Sequence, residues 1–88
     1  MQIELTRKFR KQVENLKHRP TKVKVLAIID AVVAAESMVE FPNLKKLTGF
    51  KNCYRIRLGN YRIGILIDGK TVTFAAFDHR SDIYKYFP

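Results

Sequence analysis

The chain has 88 residues and a formal net charge of +9, from 17 Lys and Arg against eight Asp and Glu. Its 47% hydrophobic content excludes a disordered chain, and a lone Cys53 with only two histidines excludes an internal disulfide and a zinc site. This much positive charge on one small domain favours a polyanion, an anionic membrane surface or an acidic protein as the partner.

The N-terminal half predicts one strand and two helices. Residues 2–5 alternate between polar and apolar side chains, which is typical of a half-exposed strand. Thr6 is a good N-cap for a helix that ends near His18. Thr21 caps a second helix, which carries an apolar stripe and ends near Glu36.

Two strands joined by a tight turn follow a short amphipathic turn at residues 44–49. Residues 54–58 and 61–65 alternate strictly, and Gly59-Asn60 between them is a hairpin signal that suits a type II′ turn. This turn fixes the register of the two strands. It opposes Leu58 with Tyr61, Arg57 with Arg62, Ile56 with Ile63 and Arg55 with Gly64.

The predicted register gathers the arginines on one face of the sheet and the apolar residues on the other. Arg57 and Arg62 are directly opposed, and like charges across a strand pair destabilise a sheet. An anion between the two guanidinium groups would remove the conflict. RNA phosphate is the polyanion that this pattern favours.

A second hairpin extends the arginine face. Asp68-Gly69 predicts a type I′ turn that pairs Ile67 with Lys70. Small side chains, Thr73 and Ala75, then lie beside the arginines, so this face is expected to be open. The strand continues into His79 and Arg80, which should arrive beside the arginines, and Tyr84 follows.

These elements predict an α+β fold in the order β-α-α-β-β-β with a short C-terminal helix or turn. The N-terminal strand and the helical hairpin belong to a mostly antiparallel sheet of about four strands, with the helices on its apolar face. The longest apolar stretch, residues 25–35, is too short to span a membrane and is interrupted by Asp30. With no signal peptide visible, a cytoplasmic protein is expected.

The combination of motifs resembles the RelE/ParE superfamily of bacterial toxins. The resemblance rests on residues 44–49 (Leu-Lys-Lys-Leu-Thr-Gly), residues 54–63 (Tyr-Arg-Ile-Arg-Leu-Gly-Asn-Tyr-Arg-Ile), His79-Arg80 and residues 82–84 (Asp-Ile-Tyr). It covers nearly the whole chain, including length, element order and basicity. It implies that residues 1–88 are a single RelE-like toxin domain.

The resemblance implies a type II toxin that enters the ribosomal A site and cleaves mRNA there. Typical RelE-like members use no metal or cofactor, and an acidic antitoxin neutralises them. The ParE branch shares the fold, acts on DNA gyrase and lacks the nuclease residues. A non-catalytic gyrase inhibitor therefore stays open, as does a degenerate toxin that only binds RNA or its antitoxin.

The family's functional positions can be carried over residue by residue. Its basic catalytic residues match Arg55 and Arg57, which are lysines in the archetype, and arginine does not readily give up a proton. That departure makes His79 the candidate acid or base. The predicted catalytic residues are Arg57, Arg62, His79, Arg80 and Tyr84. The predicted contacts to mRNA and to 16S or 23S rRNA phosphates are Arg55, Lys45, Lys46, Arg7, Lys8 and Lys11.

Overall fold

The computed structural model describes all 88 residues and confirms the α+β class. It has five strands, two α-helices and a C-terminal 3₁₀ turn. The elements are β1 (Gln2–Leu5), α1 (Arg7–Glu14), α2 (Arg19–Ala34), β2 (Leu44–Lys46), β3 (Cys53–Leu58), β4 (Tyr61–Asp68), β5 (Thr71–His79) and the 3₁₀ turn (Ile83–Lys85). Neither helix is long and apolar enough to cross a membrane.

One sheet holds all five strands in the order β1-β5-β4-β3-β2. β1 lies parallel to β5, and the other neighbours are antiparallel. β2 is one strand more than the four predicted, because the sequence pattern of residues 44–49 indicates a short amphipathic turn. Three residues are too few for periodicity to identify a strand. Pairing with the β3 backbone is what makes this segment extended.

The two helices begin at side-chain caps. Thr6 caps α1 as predicted, since its hydroxyl accepts a hydrogen bond from the N–H of Phe9 at 3.1 Å. The predicted Thr21 cap for α2 is wrong. The N-cap is His18, and Pro20 lies in the first turn, where a missing N–H costs no helical hydrogen bond.

The main core lies between the helices and one face of the sheet. α1 contributes Phe9, and α2 contributes Val25 and Val32. The sheet contributes alternate residues of its three central strands, which are Ile56, Ile63, Ile65, Val72, Phe74 and Phe77. The apolar face of the sheet is therefore the helix-covered face, as the alternation predicted.

The register of the first hairpin is the predicted one, and Gly59 takes a φ of +57° at its turn. The turn of the second hairpin is centred one residue later than predicted, so each pairing shifts by two residues: Asp68 pairs with Thr71, and Ile67 pairs with Val72 in place of Lys70. Gly69, with a φ of +58°, therefore occupies the first central position of the turn rather than the second.

A β-bulge in β5 changes which side chains share a face. Ile65 pairs with Phe74 but Gly64 pairs with Ala76, so Ala75 is an extra residue. The hydroxyl of Thr6 donates to the Ala75 carbonyl at 3.1 Å, which ties the bulge to the start of α1. Beyond the bulge, Asp78 lies opposite Arg62 and His79 lies opposite Tyr61.

The C-terminal segment partly fills the face that was expected to be open. Ile83 and Phe87 pack there against Ala76 in a second, smaller apolar cluster. Gly64 lies beneath the ring of Phe87, and a Cβ at Gly64 would be only 2.6 Å from two carbons of that ring. The segment that carries Tyr84 is thus held on the sheet by apolar contacts.

α1 covers the part of the β5 edge that β1 leaves free. β1 ends at Leu5, opposite Phe74. Farther along β5, the N–H of Phe77 donates to Oε1 of Gln12 on α1 at 2.9 Å. One glutamine side chain therefore replaces the backbone acceptor that a neighbouring strand would supply.

We expect Gln12→Ala to lower the free energy of unfolding by about 1–2 kcal/mol, since it leaves the N–H of buried Phe77 without its partner. Urea denaturation of the wild type and the variant measures the difference. Glu14→Ala, an exposed change on the same helix, is the matched control. Equal losses in the two variants would contradict the role given to Gln12.

Candidate functional site

A basic groove lies on the face of the sheet that the helices do not cover. Its volume is about 440 Å³. The residues that line it are Lys45, Lys46, Leu47, Thr48, Arg55, Arg62, Arg80 and Tyr84. Five of these carry a positive charge and none is acidic, so we call this site the basic groove.

The sheet register places the cationic side chains together. Lys45 on β2 is the direct partner of Arg55 on β3, so both point to the same face. Arg62 lies on β4, beside Gly64, which is the partner of Arg55. Arg80 follows β5, where its N–H donates to the carbonyl of Asn60 at 2.8 Å.

Two of the three guanidinium groups in the groove, those of Arg55 and Arg62, are held by backbone oxygens and not by carboxylates. Nη1 of Arg62 donates to the carbonyls of Gly59 and Tyr61, both at 2.9 Å, and Arg55 donates to the carbonyl of Asn43. The one ion pair in the structure joins Lys85 and Asp82 outside the groove. Neutral acceptors orient the arginines without cancelling their charge, which stays available to an anion.

The side chain of Arg57 does not line the basic groove. Its Nη2 donates to Oδ1 of Asn43 at 3.4 Å, and its side chain lines a separate, more apolar groove with residues of α2 such as Lys24. The guanidinium groups of Arg57 and Arg62 therefore point in different directions, which relieves the repulsion expected between them. Each guanidinium has its own acceptor within the protein, so the opposed pair does not by itself require an anion.

His79 does not stand beside the groove arginines, so the predicted position of this side chain is wrong. The bulge at Ala75 turns it to the helix-covered face, where its ring centroid lies 5.9 Å from that of Tyr61 in an edge-on arrangement. Its Nδ1 lies 2.8 Å from the hydroxyl of Ser81. Asp78 takes the place on the arginine face that was expected for His79.

The basic residues of α1 lie outside the groove. Arg7, Lys8 and Lys11 are exposed. The Lys8 ammonium sits 3.6 Å from the centroid of the Tyr86 ring, a cation–π contact with the C-terminal segment. Arg7 and Lys11 project from the helix as a separate basic surface.

Comparison with known protein families identifies the superfamily of this chain. Residues 3–84 match the family model described as the ParE toxin of the type II toxin–antitoxin system. The chain belongs to the RelE/ParE superfamily of toxins. The family match includes both helices, all the groove residues and all five strands except Gln2, the first residue of β1.

Relatives of this RelE/ParE toxin are found among archaea. It is 42% identical over 79 residues to Toxin RelE3 of Methanocaldococcus jannaschii, covering 86% of this chain and 90% of that protein. The crystal structure of a RelB–RelE antitoxin–toxin complex from Methanococcus jannaschii is similar with a TM-score of 0.81 and 34% identity, over 97% of this chain and 99% of the other. The archaeal RelE–RelB complex from Pyrococcus horikoshii OT3 shares the fold, with a TM-score of 0.73, 20% identity and coverage of 92% and 96%.

The sequence did not reveal three interacting residues, one of which, Asp78, is the cross-strand partner of Arg62 in the toxin's groove. Gln12, Asp78 and Tyr86 form a hydrogen-bonded set, in which Gln12 Nε2 and Asp78 Oδ2 both contact the Tyr86 hydroxyl. Burial, and secondarily the nearby Asp78, raise the pKa of Tyr86 to about 12. No local signal indicates this set, because it depends on the bulge in β5 and on a contact between α1 and the distant C-terminal segment.

The groove of the toxin can bind phosphate and can exchange protons at a few atoms only. Arginine stays protonated, so among the lining residues only Lys45, Lys46 and Tyr84 can accept or donate a proton in a reaction. The Tyr84 side chain is 49% exposed, which leaves its ring face free to stack. No three His, Cys, Asp or Glu side chains lie close enough together to hold a metal ion.

Proposed function

We propose that residues 1–88 are a RelE-like toxin domain that cleaves mRNA on the ribosome and so inhibits translation in the cytoplasm. The observation that carries the proposal is the basic groove, with five cations, one exposed tyrosine and no carboxylate. An isolated patch of surface cations is ordinary. A concave site in which arginines are oriented by carbonyls and left without counter-charges favours a phosphate ligand.

Single-stranded RNA is the phosphate ligand that suits the whole groove. Its unstacked bases can lie on an aromatic ring, and Tyr84 presents one at the groove wall. Arg7 and Lys11 on α1 lie outside the groove and would contact ribosomal RNA phosphates. This division would account for ribosome dependence, because the outer cations would dock the toxin on the ribosome while the groove binds the message.

The reaction would be attack of a ribose 2′-oxygen on its own phosphorus. The 2′-hydroxyl loses a proton, a new P–O bond forms, and the bond to the 5′-oxygen of the next nucleotide breaks. The products are a 2′,3′-cyclic phosphate and a 5′-hydroxyl, so atoms and charge balance without a co-reactant. Arg62 and Arg80 stabilise the extra negative charge of the transition state.

Proton transfer is assigned to groove residues whose side chains can gain or lose a proton. Lys45 shares the face of Arg55, and its side chain in the neutral amine form is the candidate acceptor of the 2′-hydroxyl proton. Tyr84 is the candidate donor to the departing 5′-oxygen, and it also orients the nucleotide. His79, on the other face of the sheet, and Arg57, in its own groove, have no part in this mechanism.

We expect Lys45→Met and Tyr84→Phe each to lower the cleavage rate about 100- to 10,000-fold, the range for loss of a general acid or base. Single-turnover cleavage on programmed ribosomes measures the rate. Lys51→Met removes an exposed lysine outside the basic groove and is the control. An unchanged cleavage rate in both groove variants would exclude them from proton transfer.

Mapping of mRNA 5′ ends after induction in a host tests the function itself. Cleavage confined to translated messages supports the nuclease, and Arg80→Ala should abolish it. A second function, non-catalytic inhibition of DNA gyrase, is favoured by one observation, the match to the ParE family model. Intact messages with DNA damage would support that function and exclude the nuclease.

We also propose an acidic antitoxin as the partner. The solved archaeal relatives are toxin–antitoxin complexes with RelB, and the net charge of +9 favours an acidic protein. An acidic protein encoded beside this one should co-purify with it, with an association rate that falls as salt rises.

A further inference from the structure

Asp78 lies where it should neutralise the groove, yet it does not. It is the direct cross-strand partner of Arg62, and opposite charges in that position normally attract each other. The carboxylate instead faces other donors. Oδ1 accepts from the N–H of His79 at 2.8 Å, and Oδ2 accepts from the hydroxyl of Tyr86 at 2.9 Å.

The direction of the Tyr86 hydrogen bond is fixed by Gln12. Oε1 of Gln12 is occupied by the N–H of Phe77, so Nε2 is the atom that donates to the Tyr86 oxygen. The Tyr86 hydroxyl then has its own proton free for Asp78. Burial, together with Asp78, raises the pKa of Tyr86 to about 12, so this proton is present at physiological pH.

We propose that Tyr86 is a positioning residue that holds the Asp78 carboxylate away from Arg62, and so keeps the charge of the basic groove available for phosphate. The choice of RNA as the phosphate source rests on the proposed function. The positioning itself requires only that Arg62 bind a phosphate. Lys8, over the Tyr86 ring, and Gln12, on its hydroxyl, hold the tyrosine in place from α1.

Tyr86→Phe removes the hydroxyl and leaves the ring. Oδ2 of Asp78 then loses its donor, and Arg62 is the cation directly opposite Asp78 across the strand pair. A carboxylate and a guanidinium in that position form an ion pair that competes with phosphate. We expect phosphate affinity to fall about two- to fivefold, which is within the range for an exposed ion pair.

Titration of the full chain with inorganic phosphate tests the proposal directly. The side-chain Nε–Hε resonance of Arg62 reports binding by NMR. Tyr86→Phe should weaken binding, Asp78→Asn should bind at least as tightly as the wild type, and the double variant should regain wild-type affinity. Tyr54→Phe, which removes a hydroxyl on the helix-covered side, is the control.

The double variant separates positioning from mere structural support. If Tyr86→Phe acted by loosening the C-terminal segment, Asp78→Asn would not restore binding, and that result would overturn the proposal. Equal affinity of Tyr86→Phe and the wild type would overturn it as well, as would a wild-type Arg62 resonance that phosphate leaves unchanged.

The salt dependence of RNA binding gives a second readout. With a short single-stranded RNA, Tyr86→Phe should reduce the slope of log affinity against log salt by about 0.7, the value for one lost phosphate contact. The failure of the proposed function looks different. If messages in the host stay uncleaved while the variants bind phosphate as expected, the nuclease function is excluded and the positioning role of Tyr86 is retained.

Discussion

Arg62→Ala should lower the rate of ribosome-dependent mRNA cleavage about 100- to 1,000-fold, the range for loss of one preorganised charge donor. Arg62 is half-buried on β4, and its guanidinium is fixed by two carbonyls at 2.9 Å. Little reorganisation is needed when negative charge builds up on the phosphorane. The loss should therefore appear in the chemical step, measured under single-turnover conditions with saturating ribosomes.

His79→Ala is the contrasting variant. The sequence favours His79 as the acid or base, whereas the structure places its ring on the other face against Tyr61. We expect its cleavage rate to stay within about fivefold of the wild type, well below the effect of losing a general base. A loss in His79→Ala as large as that in Arg62→Ala would contradict the mechanism proposed above.

Gly64→Ala should cost about 2–3 kcal/mol of stability and most of the activity. The new Cβ would lie 2.6 Å from the Phe87 ring, and the conflict includes the ring carbon nearest the backbone. Rotation of the ring cannot relieve it, so Phe87 must leave its site over Ala76 and Ile83. Tyr84 is carried on the same segment and would lose its place at the groove.

A double-mutant cycle checks this explanation by chemical denaturation. In a Phe87→Ala background the space above Gly64 is empty, so adding Gly64→Ala should cost less than about 0.5 kcal/mol. Equal costs of Gly64→Ala in both backgrounds would show that the clash with Phe87 is not the cause. Cleavage assays on the same four proteins report whether Tyr84 is displaced with Phe87.

The first hairpin was predictable because its turn and its alternation agree. Gly59-Asn60 can adopt only a few turn geometries, and each fixes the pairing of Arg57 with Arg62. The helix-covered face follows from the same alternation. The α+β class and the α1 cap at Thr6 likewise depend on local residues, and the structure confirms them.

The second hairpin was predicted less well because its decisive contacts are not local. The bulge at Ala75 contains no glycine, and it is fixed by Thr6, which lies 69 residues away. One extra residue exchanges the faces of Asp78 and His79. This exchange removes the predicted imidazole from the groove and brings in the carboxylate that Tyr86 binds.

Part of the groove was therefore predictable and part was not. Arg62 and Arg55 follow from the alternation in β3 and β4, and the resemblance contributes Arg80 and Tyr84. Arg57 alternates in the same way but lies next to Asn43, whose side chain turns it out of the groove. Periodicity assigns a face of the sheet, and it does not give the direction of a long, flexible side chain.

β2 also affects how one toxin molecule meets another. It is the outermost strand, it is only three residues long, and its lysines, Lys45 and Lys46, are exposed. Two such strands approaching edge to edge would bring four ammonium groups together, which opposes pairing. A toxin released from its antitoxin at high concentration should therefore resist fibrillar self-assembly through this side of the sheet.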